Sequence, residues 1–328
     1  MGVRFTHLAF GAAALFPWTV ATSAWAQTWT IAIDPNTPNL GKVAMPNSAS
    51  TFTVPPGTGS VTQTGMGVFV SGAATTSQVR VSCGTEGACN NTNVKVVITK
   101  VGSPTSPLSA LTNFAVAMNG ATLVGSAPAP ASSITFTLGS IGKNSSKSFY
   151  VGMDMPVLAS GSSTGAGSQG WSVVVSTTAG ASSVTNSTGL AKVTSMRPMS
   201  VSKSLDLTFG SIVKPPSGSG SVTMDAGGGF TSMPAGAVAI KSHNAAQFFV
   251  FGEGDQTFNL SVTPTFTMVS GVNSLPVTTV SSTGAQTLGP TIGMQGSFSL
   301  GVGGSFPLGS ATPSGAYTGS FTVTATYN

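Results

Sequence analysis

Few side chains of this 328-residue chain are suited to chemistry. Past the first 26 positions a single histidine remains, His243, in Lys241-Ser-His-Asn-Ala. The seven acids are scattered singly along the chain, except for Glu253 and Asp255 in Gly252-Glu-Gly-Asp255. Two carboxylates in a hairpin fall short of the six to eight oxygens that calcium takes, so this stretch reads as a turn. Gly218-Ser-Gly-Ser-Val comes nearest to a nucleophile elbow, but it lies in a Gly-Ser turn with no convincing triad partners. Catalysis needs paired, perturbed groups in one pocket. The composition barely supplies them, and the expectation is no enzyme, no metal and no cofactor. Cys83 and Cys89 are the only cysteines. In an exported chain an isolated close pair is most simply a disulfide, and two thiols with no nearby His make a poor metal site.

The whole-chain totals narrow the class. Charged residues make up 6 % of the sequence, far below the usual quarter, and mean hydropathy is +0.30. Disorder is excluded, because it goes with high charge and low hydrophobicity. Abundant Gly, Ser, Thr, Ala and Val predict many short strands joined by tight turns. The net charge of +5 comes from lone Lys and Arg with no basic run, so nucleic acid is not an expected partner.

Residues 1–26 read as a secretory leader. Arg4 lies in a polar start, Leu8 to Val20 is apolar, and Ala24-Trp25-Ala26 offers small residues for cleavage. The apolar run is too short for a membrane span, which needs about 20 residues. No later run is longer. Trp29, Ile31 and Ile33 then alternate with Thr30, Ala32 and Asp34. This fits either a donor strand for a neighbouring subunit or the first strand of the chain's own domain.

Short sequences recur in order at an offset near 160–170 residues. Val54-Pro-Pro-Gly-Thr-Gly-Ser-Val-Thr returns as Lys214-Pro-Pro-Ser-Gly-Ser-Gly-Ser-Val-Thr. Asn39–Val43, Ser77–Val81, Asn93–Ile98 and Ser148–Gly152 parallel Leu207–Ile212, Ala246–Phe251, Phe258–Val262 and Ser297–Gly301. Gly170–Ser176 sits where the second copy has Gly315 to Tyr327. A period this long means tandem domains. The polar stretch Thr177–Thr188 marks the boundary, giving domains 27–188 and 189–328. Each is expected to be an immunoglobulin-like Greek-key β-sandwich in an all-β protein.

The clearest strand is the tail, Gly315-Ala-Tyr-Thr-Gly-Ser-Phe-Thr-Val-Thr-Ala-Thr-Tyr-Asn328. Tyr317, Phe321, Val323, Ala325 and Tyr327 fall on one face, and Ser and Thr fall on the other. A glycine fourteen from the end and a penultimate Tyr resemble the C-terminal signature of chaperone–usher pilus subunits. Pro198–Val213, with Leu207-Thr-Phe-Gly-Ser-Ile212, resembles the opening of domain-of-unknown-function family 4402. Ala245–Glu253 and the tail resemble its middle and end. The resemblance implies a tail strand held first by a periplasmic chaperone and later packed beside a donated strand. It also implies an usher and other pilus subunits as partners. A two-domain tip subunit would carry its surface or glycan receptor site on the first domain. The expected route is through the periplasm to the cell surface, fimbrium or medium. The other reading is a self-contained secreted or cell-surface binding module. N-terminal sequencing of exported protein is expected to begin at Gln27; a mature chain that keeps residues 8–20 would overturn the leader reading.

Overall fold

The computed structural model describes residues 29–57, 60–72, 74–85, 89–161, 164–178 and 185–328. The expected leader lies outside the described residues. Every regular element among those described is a β-strand, in agreement with the all-β expectation. No helix among them is long and apolar enough to cross a membrane.

The first half folds as two facing sheets. Ser77–Cys83 shows why its segments become strands: Ser77, Val79, Val81 and Cys83 are buried, whereas Gln78, Arg80 and Ser82 are not. One sheet runs in the order Trp29–Asp34, Ser77–Cys83, Ser146–Val157, Ser50–Val54, Thr62–Thr64, with Thr112–Asn119 also on Ser146–Val157. The other runs Val68–Ser71, Asn39–Ala44, Thr185–Met196, Gly165–Thr177, Thr92–Thr105, Ser133–Ile141, Leu123–Val124. Their inward faces form one continuous core around Phe52, Ile98, Phe114, Phe149 and Trp171. Trp171 is fully buried.

The second half repeats the first sheet strand for strand. Ser200–Leu205, Ala246–Glu253, Gln295–Gly309, Ser219–Met224 and Phe230–Ser232 lie in that order. In both halves one long strand pairs with two partners in succession. Ser146–Val157 takes Ser77–Cys83 and then Ser50–Val54, as Gln295–Gly309 takes Ala246–Glu253 and then Ser219–Met224. The opposing sheet of the second half is in two pieces. One is Ile212–Val213 with Val238–Ala239, and the other is Gly284–Thr287, Thr257–Val262, Val323–Tyr327. Its core is divided too, into a cluster around Val250, Phe258 and Leu300 and another around Val222, Val277 and Phe306.

Three expectations need correction. Residues 189–196, assigned by composition to the second domain, belong to Thr185–Met196. That strand pairs with Gly165–Thr177 and Asn39–Ala44 inside the first sandwich. Asn186, Thr188, Leu190 and Lys192 form the outward half of the strand, with Gly189, Ala191 and Val193 buried on its other face. The boundary therefore falls at Arg197. The tail is not one fourteen-residue strand. Its ladder is confined to Val323–Tyr327, although residues 318 and 322 still bond to Val269 and Thr263. The break lies opposite Pro264, which has no N–H to offer a ladder. Finally, of the two readings of Trp29–Asp34, the structure has the first strand of its own domain, paired along its length with Ser77–Cys83. Trp29 is buried and Ile31 and Ile33 pack against the first core.

Cys83 and Cys89 form a disulfide, with Cα atoms 5.6 Å apart. Both sulfur-bearing residues are buried in the first core. Changing both cysteines to Ala is expected to cost the first sandwich about 2 kcal/mol, the loop-closure value for so short a ring. Separate chemical-denaturation transitions for the two halves measure this; an equal loss in the second half would contradict it.

Candidate strand-acceptor groove

The two halves differ at the position of Thr185–Met196. In the first sandwich, Thr185–Met196 lies between Gly165–Thr177, to which it runs antiparallel, and Asn39–Ala44, to which it runs parallel. The equivalent neighbours in the second sandwich are the tail and residues 207–213. Register supports this equivalence. Val173 and Val175 sit opposite Ile98 and Val96, as Val323 and Ala325 sit opposite Val262 and Leu260. Gly41 and Gly210 both take a left-handed backbone, with φ of 86° and 74°, and the segment after each pairs with a strand on its far side. Among the described residues, no strand of the second sandwich occupies the position of Thr185–Met196. Val323–Tyr327 is an edge strand, laddered on one side to Thr257–Val262.

A cavity of about 1050 Å³ opens at this position. Residues 207–214 form one wall and 312–321 the other. Phe248, Phe266, Met268, Leu275 and Phe306 contribute its apolar lining. The rings pack edge-on or tilted: Phe209 on Phe306 at 4.8 Å, and Phe321 on Phe248 at 6.0 Å and on Phe266 at 5.4 Å. The charged groups on the lining are Lys203, Asp206 and Lys214. Lys203 and Asp206 pair with each other at 2.5 Å, and Lys214 donates to the Thr312 carbonyl at 3.1 Å. The groove therefore suits an uncharged apolar guest rather than an ion.

The alternation read from the tail holds in space. Tyr317, Phe321, Val323, Ala325 and Tyr327 are half-buried, whereas Thr318, Ser320, Thr322, Thr324 and Thr326 are exposed. Phe321, Val323, Ala325 and Tyr327 pack on the edge of one core cluster, and Tyr317 and Phe321 line the cavity. Gly315 is needed for a close approach: a β-carbon there would strike the Ser270 side chain.

The residues suited to chemistry do not converge. His243 is exposed and lies against the Phe230 ring, with centroids 4.4 Å apart. Asp154 accepts from Thr53 and Asn113 at 2.5 and 2.7 Å, tying neighbouring strands together. Asp225 caps its own turn through the amides of Gly227 and Gly229. Among the described residues no three His, Cys, Asp or Glu side chains gather as a metal site.

Sequence reasoning missed one polar cluster. Glu253, read as part of a turn, is fully buried where the two halves meet, whereas Asp255 is exposed. Its carboxylate accepts from the Arg197 guanidinium at 2.9 Å, the Arg197 amide at 3.1 Å, Thr164 at 3.3 Å and the Gly293 amide. Tyr327 joins it: its hydroxyl donates to the Arg197 carbonyl at 2.8 Å and accepts from the Glu253 amide at 2.7 Å. The usable clue was scarcity, since in a chain with so few charges an Arg at a domain boundary needs a partner.

Burial raises the pKa of Tyr327 above its ordinary value of 10.0. The hydrogen bond from the Glu253 amide lowers it, the Glu253 charge raises it and the Arg197 charge lowers it.

Residues 199–327 match the family described as a domain of unknown function, DUF4402. No curated protein matches the chain in sequence. Among solved structures, AggA, the major subunit of aggregative adherence fimbriae type I from Escherichia coli, is 11% identical with a TM-score of 0.23. The match covers 51% of this chain and 94% of AggA. The CsuC–CsuE chaperone–tip adhesion subunit complex of Acinetobacter baumannii gives 12% identity and a TM-score of 0.26. That match covers 76% of this chain and 91% of the other. Both likenesses are loose.

Because the folded state holds the Tyr327 proton more tightly, this group's contribution to stability is complete below pH 10.0. It is lost as pH rises through the raised folded value. Tyr327→Phe is expected to flatten part of the alkaline fall in the denaturation midpoint. An unchanged alkaline profile would rule this out.

Proposed function

We propose that this chain is an exported structural and adhesive subunit whose second sandwich is completed by a strand from another chain. It is of the chaperone–usher fimbrial type. The observation that carries the reading is the vacant position between the tail edge and residues 207–213, which the first sandwich fills with its own Thr185–Met196. A strand entering there would bond to the free edge of the tail and place every second side chain in the cavity. Strand addition to an open sheet edge works in this way, with main-chain hydrogen bonds giving affinity and side-chain pockets giving specificity. The stretch Ala191–Ser202, the nearest segment that could fill the position in cis, is already in use. Its first part lies in the first sandwich, and Ser200–Leu205 is laddered to Ala246–Glu253.

The two-domain layout supports a division of roles. The second sandwich joins the assembly, and the complete first sandwich is free to meet a surface or glycan receptor. A periplasmic chaperone would guard the groove before an usher delivers the chain to other pilus subunits. The match of residues 199–327 to DUF4402 and the pilin-like tail both support this reading. No part of it requires catalysis.

The first sandwich supplies the test. Its filling strand follows Gly165–Thr177 in sequence, so a copy of residues 179–196 appended after Asn328 reproduces the same connection in the second. Each apolar side chain that enters the groove is expected to contribute about 1.5–3 kcal/mol. The extended chain should therefore unfold at clearly higher temperature than the parent. Val323→Asp or Phe321→Asp in the extended chain should remove the gain, because each puts a charge on the groove side. A parent already as stable as the extended chain would sink the strand-acceptor reading and leave a self-contained surface module.

A further inference from the structure

Three segments that are distant in sequence meet at one buried residue, Glu253, two at its carboxylate and the third at its backbone amide. Thr164 lies just before Gly165–Thr177 in the first sandwich, Arg197 is the linker, and Tyr327 closes the tail of the second. We propose that Glu253, Arg197 and Tyr327 form an interdomain lock that fixes the orientation of the two sandwiches and positions the tail edge at the same time. The consequence for strand capture rests on the groove reading above; the lock itself does not.

The bonds run through both sandwiches. Arg197 donates from one guanidinium nitrogen to Glu253 and Thr164 at 2.9 and 3.1 Å, and from the other to the Gly293 carbonyl at 3.1 Å. Glu253 accepts from Thr164, so the carboxylate touches the first sandwich directly. A second crossing lies nearby, where Lys42 donates to Gln256 at 2.8 Å. The Glu253 side chain has no exposed surface, so its charge depends on these partners. Losing one partner of such a pair is costly because the other is left buried and uncompensated.

Tyr327 makes the lock part of the tail. Its hydroxyl bridges the linker carbonyl of Arg197 and the amide of Glu253. The ring lies over Gly252, where any side chain would strike the hydroxyl. From Tyr327 the tail runs back to Phe321 on the cavity wall, a reach of about 20 Å at the usual rise per residue. The strand that fills the first sandwich ends at Met196, one residue before Arg197. The filled position of the first sandwich and the wall of the vacant one are thus joined through two adjacent residues and one hydroxyl. Binding that orders the tail must tighten the junction, and loosening the junction must weaken that binding, because coupling is reciprocal.

Pulsed electron–electron resonance on the full chain tests this, with spin labels at Thr135→Cys and Ser274→Cys, both exposed positions in opposite halves. Hydrogen exchange at the amides of Val323–Tyr327 is read in parallel. The expected result is a single narrow distance in the parent. Tyr327→Phe and Glu253→Gln should each broaden it and speed exchange in the tail. For Tyr327→Phe the loss of two hydrogen bonds corresponds to about tenfold faster exchange. Val222→Ala, a core change remote from the junction, should lower stability and leave the distance narrow. Appending residues 179–196 should sharpen the distance further in the parent and fail to do so in Tyr327→Phe. Unchanged distances in both lock variants, or broadening without faster tail exchange, overturns the proposal. If the appended strand has no effect even on parent stability, the groove reading falls. The lock is then judged on the distances and exchange of the unextended variants.

Discussion

A β-strand whose outer edge has no ladder and whose inner face is half-covered leaves two debts to water: open peptide groups and apolar side chains. Val323–Tyr327 carries both, and the layout of the second sandwich follows from it. The sheet that should span the domain is divided at that edge, and the core beneath is divided with it. The first sandwich shows the same strand order with the position filled. There Ala191 and Val193 are buried, and a single core extends from Trp29 to Val193. The contrast is internal to one chain, so it does not depend on likeness to any other protein. Unpaired edges are ordinarily blunted by charge, proline or a covering loop. Here the inward face of the edge is apolar and the groove beside it is lined by phenylalanines.

Much of this was legible in the sequence. Period-two alternation pointed to the tail and the class, because a side chain's face in a strand depends only on its position. The ordered short repeats pointed to two copies; five of the six fall on corresponding segments, but Val54–Thr62 runs out of Ser50–Val54 whereas Lys214–Thr223 runs into that strand's counterpart, Ser219–Met224. Three features were not legible, each for a physical reason. Thr185–Met196 reads as the end of a linker and the start of a second domain, since Asn186, Thr188 and Lys192 lie on its outward face while Gly189, Ala191 and Val193 provide a small buried face. A strand of small residues buried between two others has little hydrophobic signal. The length of the tail ladder was overestimated because pairing is decided by the partner, and Pro264 lies on the partner. Glu253 was read as a turn residue because local sequence gives no hint that Arg197, 56 positions earlier, folds onto it.

The junction between the sandwiches is polar for a related reason. A fully apolar contact would bury area without fixing an angle. A planar guanidinium held between a carboxylate, a hydroxyl and a carbonyl fixes direction as well as distance. The charge is kept out of water and supplied with several donors, which is the condition under which a buried carboxylate is tolerated. The chain commits two of its few charged residues to this point.

Placing the penultimate tyrosine at that junction has a consequence for the vacant position. The tail is anchored at its C-terminal end by two hydrogen bonds through one hydroxyl, and near Phe321 by ring contacts and by the bonds of Thr322 to Thr263 and of Thr318 to Val269. Between these points its groove-side residues are half-covered, and its ladder is interrupted opposite Pro264. The tail is therefore held at both ends, and the side of Val323–Tyr327 away from Thr257–Val262 is its open ladder edge. Pairing that starts at the junction end would extend an edge already in register. A strand added there, as proposed, would meet the regular part of the edge at the junction end, where the Tyr327 hydroxyl fixes it.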